Sequence, residues 1–285
     1  MKLCRFKNRH QEIRVGLISD DATLMDLTPA GITQLHPLLE SAGLAPQLNR
    51  IAQMKLPQIA LSEVMLCAPV EQQEIWAAGV TYLRSKTARM EESNFSARAY
   101  DQVYEAARPE LFFKSLPDKV VAPEEPIGVR ADSRWTVPEP ELALVLNSKG
   151  TLVGYTVGND VSSRDIEGEN LLYLPQAKIY RRSCALGPCV VVGATEAEAR
   201  AWNIQLTIRR QGSIAFNAQT SVGQIKRSFA GLSEYLFRSQ EFPHGAVLLT
   251  GTGVVPPDSF TLQGDDVVEI RIDGIGLLRN TVTSV

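Results

Sequence analysis

The chain has 285 residues, 44% of them hydrophobic and 21% charged, an ordinary balance for a globular protein with ample length for a core. Its 29 Lys and Arg against 32 Asp and Glu leave a formal charge of −3, so no basic footprint points to nucleic acid. No apolar run nears the ~20 residues of a membrane span. The start, MKLCRFKNRH, has no apolar segment behind it, which predicts a cytoplasmic protein. Cys4, Cys67, Cys184 and Cys189 form no CxxC pair and read as buried thiols.

Residues 13–18, IRVGLI, predict a strand, and TLMDLTP a second one after a turn. Apolar spacing over Gly31 to Asn49 is helical, with Pro37 interrupting it. An extended LPQIALSEVMLCAP completes a small N-terminal α+β unit, residues 1–70, with a soft boundary near Val70. Residues 75–82, IWAAGVTY, read as a short buried strand ending at Gly79. Residues 83–108 are charged and helix-permissive, with Tyr100, Val103, Tyr104 and Ala107 on one stripe. This stretch is either a surface helix or a lid whose arginines, Arg84 or Arg89, capture an anionic ligand. From Pro109 onward, short strands alternate with Gly, Pro, Asn and Asp turns, broken by one helical pattern at 220–240. Residues 71–285 are therefore expected to form one β-rich α+β domain rather than a doubly wound one.

The segment 136–147, TVPEPELALVLN, carries two glutamates at the mouth of an apolar run. In a strand, Glu139 and Glu141 share a face with Cβ atoms roughly 7 Å apart. Asn147-Ser148-Lys149-Gly150 reads as a turn. A hairpin about it brings Asp160 within a residue or two of Glu139. Three clustered carboxylates need a counter-ion, and oxygen-only ligation favours a hard divalent cation. A solvated strand end is the plain alternative. Zinc is disfavoured, because His10, His36 and His244 all lie elsewhere.

Lys178, in NLLYLPQAKIYRR, sits among apolar residues. It is either a snorkelling lysine or a group that anchors an anion and moves protons. Thr250-Gly251-Thr252-Gly253 follows the apolar strand AVLL. It is either a tight turn or a carboxylate-binding loop, and it lacks the third glycine and helix of a dinucleotide site. No GxSxG elbow is present.

Taken in order, PEPELALVL, GYTVGNDVSSRD, QAKIY, LGPCVV, LLTGTG and LQGDDVVEIRIDGIGLLRN resemble the fumarylacetoacetate hydrolase family over roughly residues 72–285. The resemblance implies a mixed β-roll and a Mg²⁺ site, with Mn²⁺ or Ca²⁺ as alternatives, held by Glu139, Glu141 and Asp160. It implies Lys178 as the active-site lysine and Gly251 and Thr252 as contacts to a substrate carboxylate. It also implies a small 2-oxo acid substrate and a homo-oligomer, dimer or tetramer. Hydrolases of the family carry a histidine in GxNYxxH; here the stretch ends at Ser85, a poor general base. GVTYLRS, RPELFFK, RDIEGEN and LYLPQAKIY are more similar to the branch that dehydrates 2-dehydro-3-deoxy-D-arabinonate to 2,5-dioxopentanoate. A dehydratase needs a base near C3 and an acid near the C4 hydroxyl, but no water nucleophile. Lys178, Glu110 and Ser85 are the candidates for those roles. Tyr82, Lys114 and Arg89 join Gly251 and Thr252 as candidate substrate-binding residues. Glu167 and Glu169, in RDIEGEN, either support these groups or simply order a loop. The alternatives are a C–C hydrolase of 2,4-dioxo acids, or a metal-binding relative without catalysis.

Overall fold

The computed structural model describes residues 1–20, 22–84 and 97–285. Ser85, Arg89 and the rest of residues 85–96, within the segment expected to form a lid, lie outside the described residues. The N-terminal stretch holds β1 (Lys2–Lys7), β2 (Ile13–Ile18) and β3 (Thr23–Asp26), then α1 (His36–Leu39) and α2 (Leu44–Ala52), then β4 (Gln58–Ala60) and β5 (Met65–Cys67). The helical pattern over 31–49 thus resolves into two short helices. Pro37 opens α1 at an early position where a missing N–H costs nothing, and Gly43, in the left-handed region, separates it from α2.

Next come β6 (Glu74–Gly79), α3 (Ala97–Glu105), β7 (Glu110–Ser115), β8 (Ile127–Val129), β9 (Thr136–Val137), β10 (Pro140–Leu146) and β11 (Leu152–Asp160). They are followed by β12 (Ser162–Ser163), α4 (Arg164–Glu169), α5 (Leu174–Lys178), β13 (Cys184–Val191), α6 (Glu196–Arg200), β14 (Asn203–Arg210) and β15 (Ser213–Ser221). The chain ends with α7 (Phe229–Phe237), β16 (Ala246–Leu249), β17 (Val267–Ile272) and β18 (Gly276–Ser284). This is the expected β-rich α+β architecture.

Among the described residues, one mixed sheet runs β4-β3-β2-β1-β13-β11-β10-β16-β6-β7, with β5 also paired to β1. A second sheet has the order β15-β14-β17-β18-β8. Because β1 pairs with β13, hydrogen bonding continues across the boundary expected near Val70. All seven residues of β10 are buried, as a central strand covered on both faces requires. Leu142, Leu144 and Leu146 enter one apolar cluster with Leu206 and Ile270 of the second sheet. Ala143 and Val145 enter another, with Leu48 and Val247.

The expected hairpin is present: β10 and β11 are antiparallel, with Pro140 opposite Asn159 and Glu141 opposite Gly158. Asn147 Oδ1 accepts from the Lys149 and Thr151 N–H groups and so closes its turn. The topology then decides where the chemistry lies. β6 and β16 are parallel, while β10 is antiparallel to β16 and β7 to β6. The ends of β6, β11 and β16 and the starts of β7 and β10 therefore meet at one edge of the sheet.

Candidate active site and metal centre

That edge gathers Gly79, Glu110, Glu139, Glu141, Asp160 and the Thr250–Thr252 loop, and α5 delivers Lys178 to it. These groups line one small cavity together with Ala78, Val80, Phe112 and Glu167. Its free volume is about 20 Å³, room for one water-sized body. Glu110 stands opposite Gly79 in the sheet. A Cβ at Gly79 would lie 2.0 Å from Glu110 Oε2, so only glycine leaves space for that carboxylate. Val80, next in the wall, holds φ +51, an outlier for a β-branched residue and a mark of local strain.

Glu139, Glu141 and Asp160 are each at most 4% exposed. Burial of three carboxylates demands compensation, and the fold supplies it unevenly. Lys178 Nζ donates to Glu139 Oε2 at 2.7 Å, to Asp160 Oδ2 at 3.0 Å and to Ser162 Oγ at 2.6 Å. Arg164 Nη2 donates to Glu139 Oε1 at 2.8 Å. Lys114 pairs with Asp160 and also donates to the Lys178 and Val161 carbonyls. Glu141 has no cationic side chain in contact among the described residues. It accepts one hydrogen bond, from Gly251 N–H at 2.5 Å. Its carboxyl is raised well above the usual range, first by burial and then by Asp160 and Glu139, with Lys178 and the Gly251 N–H opposing.

One carboxylate oxygen from each of Glu139, Glu141 and Asp160 lies within 4.8 Å of the others. An all-oxygen set with one poorly compensated charge, around a void of ionic size, fits a hard divalent cation. The cysteine nearest this centre, Cys184, is buried, and burial pushes its thiol up to about 12, so it offers no competing soft ligand. All four cysteines are free and buried, as expected.

The other expected site residues divide by position. Gly251, Thr252 and Glu110 face the cavity. Tyr82 and Lys114 do not border it. Tyr82 is 1% exposed, and its ring would sit 2.5 Å from a Cβ at Gly253. It therefore packs beneath the Thr250–Gly253 loop, where burial, then Glu141, raises its phenol. Lys114 stands behind Asp160. Glu167 borders the cavity, while Glu169 is outside it. Arg164 was not among the expected site residues. It is a large buried cation whose partner lies 25 residues away.

Gly251 tests the geometry directly. Its φ is +89, and a Cβ there would lie 2.2 Å from Thr81 Oγ1 and 3.0 Å from the Ala78 carbonyl. Thr81 Oγ1 in turn donates to the Thr250 carbonyl. Gly251→Ala is expected to cost about 1–3 kcal/mol of stability and to lower turnover at least ~10-fold as the N–H facing Glu141 shifts. Thermal melts and steady-state kinetics check both effects. An alanine variant with unchanged kinetics means this loop does not position Glu141.

A β-rich domain with a buried, oxygen-only cation site at one sheet edge is the class of protein this geometry defines. Residues 74–283 match the fumarylacetoacetate (FAA) hydrolase C-terminal family, and the chain belongs to the fumarylacetoacetate hydrolase family. It is 52% identical over 217 residues to a probable 2-keto-3-deoxyxylonate dehydratase of Haloferax volcanii, covering 76% of this chain and 74% of that one. It is 37% identical over 287 residues to the 2-dehydro-3-deoxy-D-arabinonate dehydratase of Saccharolobus solfataricus, covering 99% and 96%. A solved 2-keto-3-deoxy-D-arabinonate dehydratase, complexed with magnesium and 2,5-dioxopentanoate, superposes with a TM-score of 0.83. That structure is 32% identical and covers 100% of this chain and 99% of its own. No described helix is long and apolar enough to cross a membrane.

Proposed function

We propose that this chain is a metal-dependent dehydratase of 2-keto-3-deoxy sugar acids, converting 2-dehydro-3-deoxy-D-arabinonate to 2,5-dioxopentanoate and water. The observation that carries the reading is the buried carboxylate triad with Lys178 hydrogen-bonded to two of its members. Glu139, Glu141 and Asp160 would hold Mg²⁺, with Mn²⁺ or Ca²⁺ as alternatives. When bound, that ion supplies a Lewis acid for the substrate's carboxylate and 2-oxo group, which acidifies C3.

The chain's own groups divide the proton transfers. Lys178 Nζ faces three acceptors, Glu139, Asp160 and Ser162. Ser162 gives its own proton to the Asp160 carbonyl, so toward Lys178 it accepts. Three acceptors match the three N–H donors of an ammonium. Lys178 is the acid at the C4 hydroxyl. Glu110, on the same cavity wall, is the base at C3. Glu110 first takes a C3 proton, and the electron pair delocalises onto the 2-oxo group; the C4–O bond then breaks, and the departing hydroxyl takes a proton from Lys178 to leave as water. Tautomerisation of the resulting enone through C5 gives the aldehyde. Gly251 and Thr252 receive the substrate's carboxylate end. None of these steps requires a histidine. The same reading places the enzyme in the cytoplasm, where four free thiols are at home, as a homo-oligomer.

The test is an end-product assay with purified protein, Mg²⁺ and 2-dehydro-3-deoxy-D-arabinonate, with an EDTA control. Metal-dependent 2,5-dioxopentanoate is the expected result. Inertness toward this substrate, with pyruvate released from acylpyruvates instead, overturns the reading in favour of a C–C hydrolase.

A further inference from the structure

A second cleft stands back to back with the active site. It opens between the segments 113–121 and 179–182 and encloses about 550 Å³, within the range of small-molecule sites. The two cavities share their walls. Phe112 lines the active site and Phe113 the cleft. Lys178 lines the active site and Ile179 the cleft. Lys114 belongs to the cleft wall, yet its ammonium reaches through to Asp160 and the Lys178 carbonyl.

The lining is mostly apolar, with four basic residues among it. Leu116 and Ile179 form open apolar lips, 42% and 37% exposed. Around them stand Lys119, Arg181 and Arg182. Lys119 and Arg181 make no side-chain hydrogen bond or ion pair with the described residues, and Arg182 spends one N–H on the Pro126 carbonyl. The lining acids are fewer: Asp118 at the rim and Glu125, which accepts from the Ala122 N–H and keeps its charge. Lys114 is neutralised by Asp160. With Lys114 paired, three cations face two carboxylates, so the cleft carries a surplus of one positive charge beside an apolar surface.

We propose that this cleft is a second binding site, for a small molecule bearing a carboxylate or phosphate on a compact apolar body. Its occupancy is felt at the metal centre because β7 and the 178–182 segment are common walls. Coupling of this kind is reciprocal, so ligand in the cleft changes Mg²⁺ affinity and Mg²⁺ changes affinity for the ligand.

The experiment uses the full chain loaded with Mg²⁺ and calorimetric titration with phenyl phosphate, benzoate and uncharged benzyl alcohol. Both anions are expected to bind at least ~10-fold more tightly than the alcohol. Arg181→Glu and Lys119→Glu, exposed substitutions at side chains that line the cleft and not the active site, are expected to weaken both anions at least ~10-fold. The stronger of the two anions identifies the head group. Saturating benzoate is expected to change the Mg²⁺ dissociation constant several-fold in the unsubstituted chain and not in Arg181→Glu. Because every readout is binding, failure of the dehydratase assay leaves this result standing, and the converse holds. Three outcomes overturn the site: equal binding of the alcohol, anion affinity indifferent to both charge reversals, or concentration-dependent hydrogen-exchange protection of 179–182 with no probe bound. The last would make this face a contact between copies. An Mg²⁺ affinity unmoved by bound benzoate overturns the coupling.

Discussion

Metal-free Glu141→Gln is expected to melt several degrees above the metal-free unsubstituted protein, to lose any response to magnesium, and to turn over at least ~10³-fold more slowly. The gain in stability follows from the site's charge balance. Glu141 is buried beside Glu139 and Asp160, and its carboxyl is held well above the usual range by burial first and repulsion second. A carboxyl raised in the folded state is one the unfolded chain ionises more readily. Its stabilising effect is complete below the unfolded value, ~4.3, and is lost as pH rises through the folded value. Above that unfolded value the metal-free fold must either keep Glu141 protonated or hold its charge uncompensated, and both cost it stability. Glutamine keeps the shape and still accepts from the Gly251 N–H, without the charge.

Relief of about 1–3 kcal/mol corresponds to a shift of some ~2–4 °C per kcal/mol in a chain of this size. Magnesium should do the same for the unsubstituted protein by binding the folded state only, worth ~2.7 kcal/mol at a hundredfold excess over Kd. The benefit should grow as pH rises, because the raised Glu141 carboxyl must lose its proton before it can hold the ion. Differential scanning fluorimetry with and without magnesium measures all of this. A glutamine variant that magnesium still stabilises would remove Glu141 from the metal centre.

Much of this centre is legible in the chain, and the limit of legibility is physical. Glu139, Glu141 and Asp160 can be found because they lie on two strands joined by a short turn, where period-2 alternation and mirror pairing carry them to one place. The cations that balance them cannot be found in the same way. Arg164 meets Glu139 by way of a helix of six residues. Lys114 meets Asp160 only because β6 and β7 close the far side of the sheet. Such contacts depend on strand order, about which local periodicity is silent. β15 sets Ile214, Phe216 and Ala218 at alternate positions, but as the outer strand of its sheet it is mostly exposed and its polar residues blur that pattern. α5, five residues long, is shorter than the window in which helical periodicity can be seen. Tyr82 and Lys114 stand in motif strings that mark the neighbourhood of the site, but a string does not say which side of a wall a side chain faces.

Lys178→Met should separate proton transfer from metal binding. Methionine keeps the unbranched stem among the Lys178 neighbours and removes the ammonium that Glu139, Asp160 and Ser162 accept from. Turnover should fall ~10²–10⁴-fold, the usual worth of a positioned acid. Metal-free stability should fall by about 3–5 kcal/mol, since two buried carboxylates lose a shared cation. Magnesium affinity should hold or rise, because the positive charge competing for Glu139 and Asp160 has gone, and added magnesium should restore much of the lost stability. Arginine in place of methionine should recover stability but not turnover: its fork pairs with carboxylates, yet it does not give up a proton. Solvent exchange at C3 supplies the decisive readout. With Glu110 as base and Lys178 as acid, Lys178→Met should still exchange a C3 proton of substrate into D₂O far faster than it forms dioxopentanoate, and Glu110→Gln should be slow in both. If Lys178→Met instead abolishes C3 exchange and Glu110→Gln retains it, the two residues hold the opposite roles.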